Sequence, residues 1–472
     1  GSDVFGRSLA VNNAGVVAVG AFLDDDNGTD SGSIYVYTPS AGGGYDEVKL
    51  TASDGMSNDR FGTRLSINEN GIIAVGAPGP ESATSNPGAV YVYTPDGMGG
   101  YSEVKLTASD GGIGNYFGNP AYINDNGVIF VGASSYYGGA TTFGAAYLYT
   151  PDGQGGYTES KLLQPDPESS DYFGNSGAVN ATGTVVVSAF AADSNGTNAG
   201  AFYVYEPDGN GNYVVHKILP TGIAANDLVG RDVEINDSGV IVVGADSDDD
   251  NGINSGSAFV YVPDGNGSYS EFKLTAHDGS AYDYFGFSVS INNDGTVSFG
   301  ANKQDGSLSD TGAVYTFIPN ENGDYVGADG TVYQGISVVP TDMGSAALKI
   351  TGSSAGETLV GGEADDTIDG QLGNDTLTGA AGDDVLTGGT GSDTFVFGGG
   401  DTGHDTVTDF TAGAATDDLL SFETSLFADY AAVLAAATDV GSNTVITIDA
   451  NTSIELQNVQ IDDLHQDDFL FV

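Results

Sequence analysis

The chain is 472 residues long, enough for two or three ordinary domains with buried cores. It carries 65 acidic against 11 basic residues, a formal charge of -54, which argues against nucleic acid and anionic membrane surfaces as partners because both would repel it. There is no cysteine, so disulfides, zinc–thiolate sites and thiol nucleophiles are excluded, while 73 glycines beside 25 tyrosines and 22 phenylalanines predict an ordered, glycine-rich, all-β protein. No run approaches the roughly 18 to 20 apolar residues of a membrane-spanning helix. The N-terminus shows no basic-then-apolar leader, and its opening at Gly1 without methionine is compatible with processing upstream.

From the start of the chain, Phe-Gly recurs at Phe5, Phe61, Phe117, Phe173 and Phe285, with Val229-Gly230 in the remaining place, always 56 residues apart. Tyr35, Tyr91, Tyr147, Tyr203, Phe259 and Tyr315 keep the same interval, as do Lys49, Lys105, Lys161, Lys217 and Lys273. Each repeat holds four short apolar or alternating runs between glycine, asparagine, proline and aspartate, which are strand and turn signals. In the second repeat "GIIAVGA" is apolar on both alternating sets, as in a strand covered on two faces. "YSEVKLTA" alternates Val104 and Leu106 with Glu103 and Lys105, as near a sheet edge. Six repeats of four strands predict a β-propeller over residues 1–343.

Phe-Gly followed by "VGAP" at Val75 to Pro78 and then "AVYVY" resembles the FG-GAP repeat of integrin-type β-propellers, over roughly residues 1–320. The resemblance implies the fold; propellers of this kind serve adhesion, scaffolding and occasionally catalysis. Members that hold calcium in the hairpin after the Phe-Gly strand carry several aspartates there. Here the turns read "NENG" (Asn68 to Gly71), "NDNG", "NATG" or "NDSG", too few oxygens for calcium, so no metal is expected in them. The loops between second and third strands differ. "DDDNGTDSG" and "DDDNGINSG" offer Asp24, Asp26, Asp30, Asp248 and Asp250 either as ligands for a hard cation or as a solvated turn of Asx-type hydrogen bonds. Tyr136 and Tyr137 in the equivalent loop of the third repeat are candidates for a sugar or protein ligand, or for rim packing. The last repeat departs from pattern after Tyr325. Its fourth strand is formed irregularly through "GTVYQGISVV", supplied from upstream of Gly1, or donated by a second molecule.

Composition shifts near residue 344, beyond which 23 acidic residues face one basic residue, Lys349. Residues 352–396 divide into five units of nine, with an acid at the sixth place (Glu357, Asp366, Asp375, Asp384, Asp393) and an apolar residue at the eighth (Leu359, Ile368, Leu377, Leu386, Phe395). A flexible acidic linker has no reason to set a large apolar residue two positions after every acid. The pattern is similar to the calcium-binding nonapeptide repeat of RTX proteins, which implies a parallel β-roll over 344–410 with Ca2+ between stacked turns. In such a roll the acid of one unit lies over the acid two units on, pairing Glu357 with Asp375, Asp366 with Asp384, and Asp375 with Asp393. Glu357, with Ala355 and Ala364 in glycine positions, departs from the repeat and weakens the first coil. Asp401, Asp405 and Asp409 fall where RTX proteins close the stack with further calcium, and His404 reads as a solvent-facing turn residue.

The remaining segment, 411–472, predicts a short helix with Phe427, Tyr430, Ala431 and Leu434 on one face and Ser425 as its cap, then a hairpin of "NTVITID" and "TSIELQNV". The terminus "DDLHQDDFLFV" resembles the acidic-then-apolar end of proteins exported by type I secretion systems. Together these features imply an extracellular protein whose roll is unfolded by carboxylate repulsion at low calcium and folds where calcium is millimolar. The function expected first is adhesion or surface binding through the propeller, with a cell-surface or polysaccharide ligand. The second is a self-assembling subunit of a surface layer or filament. A polysaccharide-active enzyme comes third: no nucleophile elbow, zinc-binding histidine pair or phosphate loop is present, and His216 and His277 stand alone in or near the lysine strand.

Overall fold

The computed structural model describes residues 3–40, 42–79, 87–110, 116–134, 144–168, 170–209, 213–265, 267–304, 311–338, 340–345, 348–352, 356–362, 364–398, 402–413 and 418–472. They form two compact units: 1–147, 164–206 and 215–343, and then 148–163, 207–214 and 344–472. No described helix is long and apolar enough to cross a membrane.

The first unit is a β-propeller of antiparallel sheets. In the second repeat the strands are Arg64–Ile67, Ile73–Ala77, Ala89–Pro95 and Tyr101–Leu106, paired in sequence order so that Leu65, Val75, Tyr91 and Lys105 share a register line. The inner strand Ile73–Ala77 is buried throughout, as its two-sided apolar pattern requires. The three 56-residue markers meet at one place. Phe61 and Tyr91 pack edge to face at 5.5 Å, and the Lys105 Nζ stands 5.3 Å from the Tyr91 ring centre.

Successive sheets are joined at Gly32–Phe61, Gly88–Phe117, Gly144–Phe173, Gly200–Val229 and Gly256–Phe285. A Cβ on Gly32 would come within 2.6 Å of the Phe61 nitrogen, so glycine is required there. The four-residue turns add a relay of amides. Nδ2 of Asn12, Asn68, Asn124, Asn180 and Asn236 each donates to the backbone carbonyl of the asparagine 56 residues on, at 2.8–3.2 Å. Each Oδ1 also accepts from its own turn, as in Asn126 N–H to Asn124 Oδ1 at 3.0 Å.

Five of the repeats make free-standing blades rather than the expected six. The third repeat is divided between the units, because its outer strand Tyr157–Leu162 pairs antiparallel with Leu348–Thr351 at the entry to the C-terminal region. The last blade is completed within the chain: Tyr325–Gly327 pairs with Ala313–Pro319, and Val332–Tyr333 pairs outside it. From there the chain runs back over earlier blades. Ile336–Val338 pairs with the outer strand of the fifth repeat, and Thr341–Ser345 adds to the sheet of the fourth. Two sheet faces stay uncovered. Phe5, Leu9 and Val11 of the first repeat are 57%, 65% and 62% exposed and Val314 of the sixth is 75% exposed, whereas the equivalent Phe61 and Val90 are fully buried.

In the second unit, Thr358–Val360, Thr376–Thr378, Thr394–Phe397, Leu419–Phe422 and Phe469–Phe471 form one parallel sheet, and Leu348–Thr351, Thr367–Asp369, Val385–Thr387, Gly403–Val407 and Thr452–Leu456 form a second. Strands two units apart are neighbours, so Leu359, Leu377 and Phe395 stack in one line and Ile368 and Leu386 in the other, all buried. The expected hairpin is present as Asn443–Thr447 with Thr452–Leu456. The helix starts later than predicted, at Tyr430–Ala436, and Asp429 caps it in place of Ser425 by accepting the Ala432 N–H at 2.9 Å. Ser425 instead donates to Glu423, Phe427 lies before the helix, and the buried helical residue is Val433.

Candidate metal centre

Each nonapeptide turns its sixth residue into the roll, two places before the apolar residue that fills the core. Asp366, Asp375, Asp384 and Asp393 are at most 1% exposed. Their Oδ1 atoms form a regular ladder. Asp375 accepts the Glu357 N–H at 2.7 Å, Asp384 that of Asp366 at 2.7 Å, and Asp393 that of Asp375 at 2.8 Å. The three acid pairs read from the sequence are therefore vertical neighbours. Each ladder goes on past the repeats, with Asp405 accepting from Asp384 at 3.1 Å and Asp418 from Asp393 at 3.0 Å.

The second carboxylate oxygens are placed differently. Oδ2 of Asp375 and Oδ2 of Asp384, one on each ladder, are buried without a hydrogen-bond partner. A buried carboxylate oxygen left unpaired is costly, yet among the described residues no three acids are grouped closely enough to hold an ion by side chains alone. Glycine lies close against the ladders: a Cβ on Gly370 would lie 2.6 Å from Asp375 Oδ2, and one on Gly388 would lie 2.5 Å from Asp393 Oδ2. Burial pushes the Asp375 carboxyl up to about 6, with the charges of Glu357 and Asp393 adding to it and the hydrogen bond from Glu357 opposing. Burial likewise raises Asp384 to about 6 and lifts Asp393 and Asp418 above the usual carboxylate range. Hard oxygen donors beside glycine-lined backbone suit Ca2+.

Asp409 stands apart from both ladders and accepts the N–H groups of Gly388 and Gly389 at 2.9 and 2.8 Å. Asp401, Tyr136 and Tyr137 lie outside the described residues. His404 is exposed, with Nδ1 2.9 Å from the Ser453 hydroxyl. Asp418 escaped the sequence reading because it follows Asp393 by 25 residues instead of 18. Its signal was the offset to Leu420, the same two places that separate Asp393 from Phe395.

In the propeller loops the acids gather around lysines. Lys49 Nζ is 2.7 Å from Asp24 and also contacts Asp26, and Lys273 is 2.6 Å from both Asp248 and Asp250. Burial would raise the Asp24 carboxyl, but the Lys49 and Ser33 hydrogen bonds prevail and lower it. Asp30 does not join them; its N–H donates to Asp25. The repeat explains this pattern. Lys105 and Lys217 take Asp54 and Asp166, each from the end of the preceding repeat, at 2.6 and 2.5 Å. For Lys273 the equivalent place is Gly222, and for Lys49 no earlier repeat is in the sequence. The "DDDNG" loops thus supply the missing counter-charge. His216 and His277 each stand 3.7 Å from an acid, Glu206 and Asp278.

Comparison with known proteins agrees with both halves. The FG-GAP repeat family matches residues 1–37, 45–93, 157–205, 214–261 and 270–317, and the RTX calcium-binding nonapeptide repeat matches 351–386 and 370–407. The chain carries FG-GAP repeats followed by RTX calcium-binding repeats. Among curated proteins none matches it. Similar solved structures include the AlgE6R3 and AlgE6R2 subunits of the Azotobacter vinelandii mannuronan C5-epimerase. They are 28% and 27% identical, each covering 26% of this chain and 76% and 91% of their own, with TM-scores of 0.22 and 0.19. The extracellular lipase LipA of Serratia marcescens is 18% identical over 45% of this chain and 30% of its own, with a TM-score of 0.19. Likenesses at such TM-scores carry no functional weight.

Proposed function

We propose that this is a secreted protein, exported through a type I secretion apparatus, whose roll folds on calcium outside the cell and whose propeller binds a cell surface or polysaccharide. The observation that carries the calcium half is the pair of unpartnered buried oxygens on Asp375 and Asp384. Glu357, Asp366, Asp375, Asp384, Asp393, Asp405 and Asp418 would hold the ions, with Asp409 and, from the sequence alone, Asp401 as further candidates. Bound Ca2+ would supply the positive charge that these carboxylates lack in the folded chain. The chain's own part is to stack the acids by strand pairing, exclude water with Ile368, Leu377 and Leu386, and keep the cradle open with glycine. Without the ion, desolvation and like charge oppose the roll, and a ligand bound only by the folded form adds its binding free energy to stability. Hydrogen exchange of the full chain with and without EGTA tests this. Peptides from 344–472 should lose protection in chelator, and unchanged protection would refute calcium-coupled folding.

A second reading is favoured by one specific observation. The uncovered faces at Phe5, Leu9 and Val11 and at Val314 correspond to the two faces that pack together at every junction between successive repeats, so they are complementary to each other on a second copy. Sedimentation velocity in calcium should then show assembly that Leu9→Asp abolishes; a monomer at high concentration would dismiss it.

A further inference from the structure

The chain contains four arginines, Arg7, Arg60, Arg64 and Arg231, within a molecule of net charge -54. Three of them line one cavity of about 330 Å³, at the place where the first strands of all six repeats converge. Charge so scarce and so concentrated is not explained by the sheets. Arg231 sits between two rings, its guanidinium 5.7 Å from the centres of both Phe190 and Phe287, which fixes the plane of its fork. Arg64 Nε donates to Asn119 Oδ1 at 3.3 Å. Partial burial and the neighbouring charge of Arg64 hold Arg7 below the usual guanidinium range, although both side chains reach solvent.

Asp232 is the one acid among the lining residues; its Oδ1 accepts from the Ser176 hydroxyl at 2.9 Å and its Oδ2 from the Val289 N–H at 3.0 Å, while the Arg64 charge acts on it and the Arg231 charge acts on the buried Asp246, leaving three guanidinium groups against two acids. Two residues on, Glu234 accepts the Ile291 N–H at 2.8 Å. Both carboxylates are thus tied to neighbouring strands. The volume lies at the lower end of ligand cavities, which run from roughly 300 to 1,000 Å³, and so matches one ring better than a long chain.

We propose that this cavity binds an oxyanion carried on a single sugar ring, a uronate carboxylate or a sugar sulfate. The guanidinium forks of Arg64 and Arg231 take the anion, and Phe287 and Tyr122 flank the ring. This deepens the binding role given to the propeller and rests on it. The probes are D-glucuronate, D-glucose 6-sulfate, D-glucose and inorganic sulfate, titrated calorimetrically into the full chain with calcium present. Glucuronate or the sugar sulfate should bind, glucose should not, and Arg231→Gln and Arg64→Gln should each weaken binding at least tenfold. Lys105→Gln, the same charge change on the distant lysine strand, should leave affinity within twofold. Arg64 is exposed, so its variant carries the test if Arg231→Gln fails to fold. Glucose binding as tightly as glucuronate, inorganic sulfate binding as tightly as the sugar anions, or wild-type affinity in both arginine variants would overturn the assignment. Wild-type binding of an acidic polysaccharide by the Arg64→Gln, Arg231→Gln double variant would likewise overturn the cavity while leaving the propeller a binding module. That module itself fails only if the unaltered protein binds no surface glycan.

Discussion

Replacing Asp384 by asparagine should stabilise the roll in chelator and lose nearly all of that advantage when calcium is present. The side chain is fully buried, with Oδ1 on the Asp366 N–H and Oδ2 without a partner. Burial pushes its carboxyl up to about 6 from the ordinary 3.8; the hydrogen bond from Asp366 opposes this, and the charges of Asp365 and Asp383 add to it. An acid whose folded pKa is raised contributes stability below the unfolded value and loses it as pH rises from about 4 to about 6. In chelator at about pH 7.5 the ionised group therefore costs on the order of 3 kcal/mol, from roughly two pH units at about 1.4 kcal/mol each. Asparagine keeps the acceptor and removes the charge, so the variant roll should be more stable in EGTA by an amount of that order. With calcium at about one hundred times its dissociation constant, each site adds about 2.7 kcal/mol to the wild type. A site deprived of its carboxylate forfeits most of that, so the variant's advantage in chelator should shrink to near zero. Hydrogen exchange of peptides from 344–472, read against urea in both buffers, measures the two differences. A variant advantage as large in calcium as in EGTA would refute the assignment of Asp384 to a cation.

Gly370→Ala places a Cβ 2.6 Å from Asp375 Oδ2 and should weaken calcium binding at least tenfold by titration calorimetry, with little change in chelator. Lys273→Met leaves the buried Asp248 without its cation and should lower propeller stability by about 3 kcal/mol in urea. That loss should be the same with and without calcium; if calcium restored it, Asp248 and Asp250 would be metal ligands after all. Asp227 is pushed up to about 6, chiefly by burial and then by Asp248 and Asp249 against the pull of Lys273 and the Ala224 N–H. Asp227→Asn should therefore gain on the wild type as pH rises from about 4 to about 6, by roughly 2 kcal/mol in total, in thermal melts at constant calcium.

Strict periods made much of this molecule legible. Phe61, Tyr91 and Lys105 recur at 56 residues because the tyrosine packs against both partners, as again in the first and fourth repeats, and Asp375 and Asp393 recur because strand pairing sets them one above the other. What broke the period was lost. Asp418 belongs to the ladder but sits behind a longer connection, and the helix cap moved to Asp429 because nothing in a local pattern ranks it above Ser425. The acids of "DDDNG" read from the sequence as ligands or as a solvated turn, and the ion pair with the lysine two strands on is a role that the loop by itself does not display. The three arginines were hidden for the opposite reason. Each occurs once, at a different repeat, and only closure of the sheets around a common line gathers them.

The chain's return over its own blades nests one closure inside another. Ile318 pairs with Val326 across 8 residues, Glu271 with Ile336 across 65, and Leu162 with Leu348 across 186. Each of these stitches shortens the free thread needed for the next, so the entropy of closing the widest one is lowered once the narrower two are made. Pairing of Leu348–Thr351 with Tyr157–Leu162 therefore costs less entropy the more of the narrower stitches are already in place.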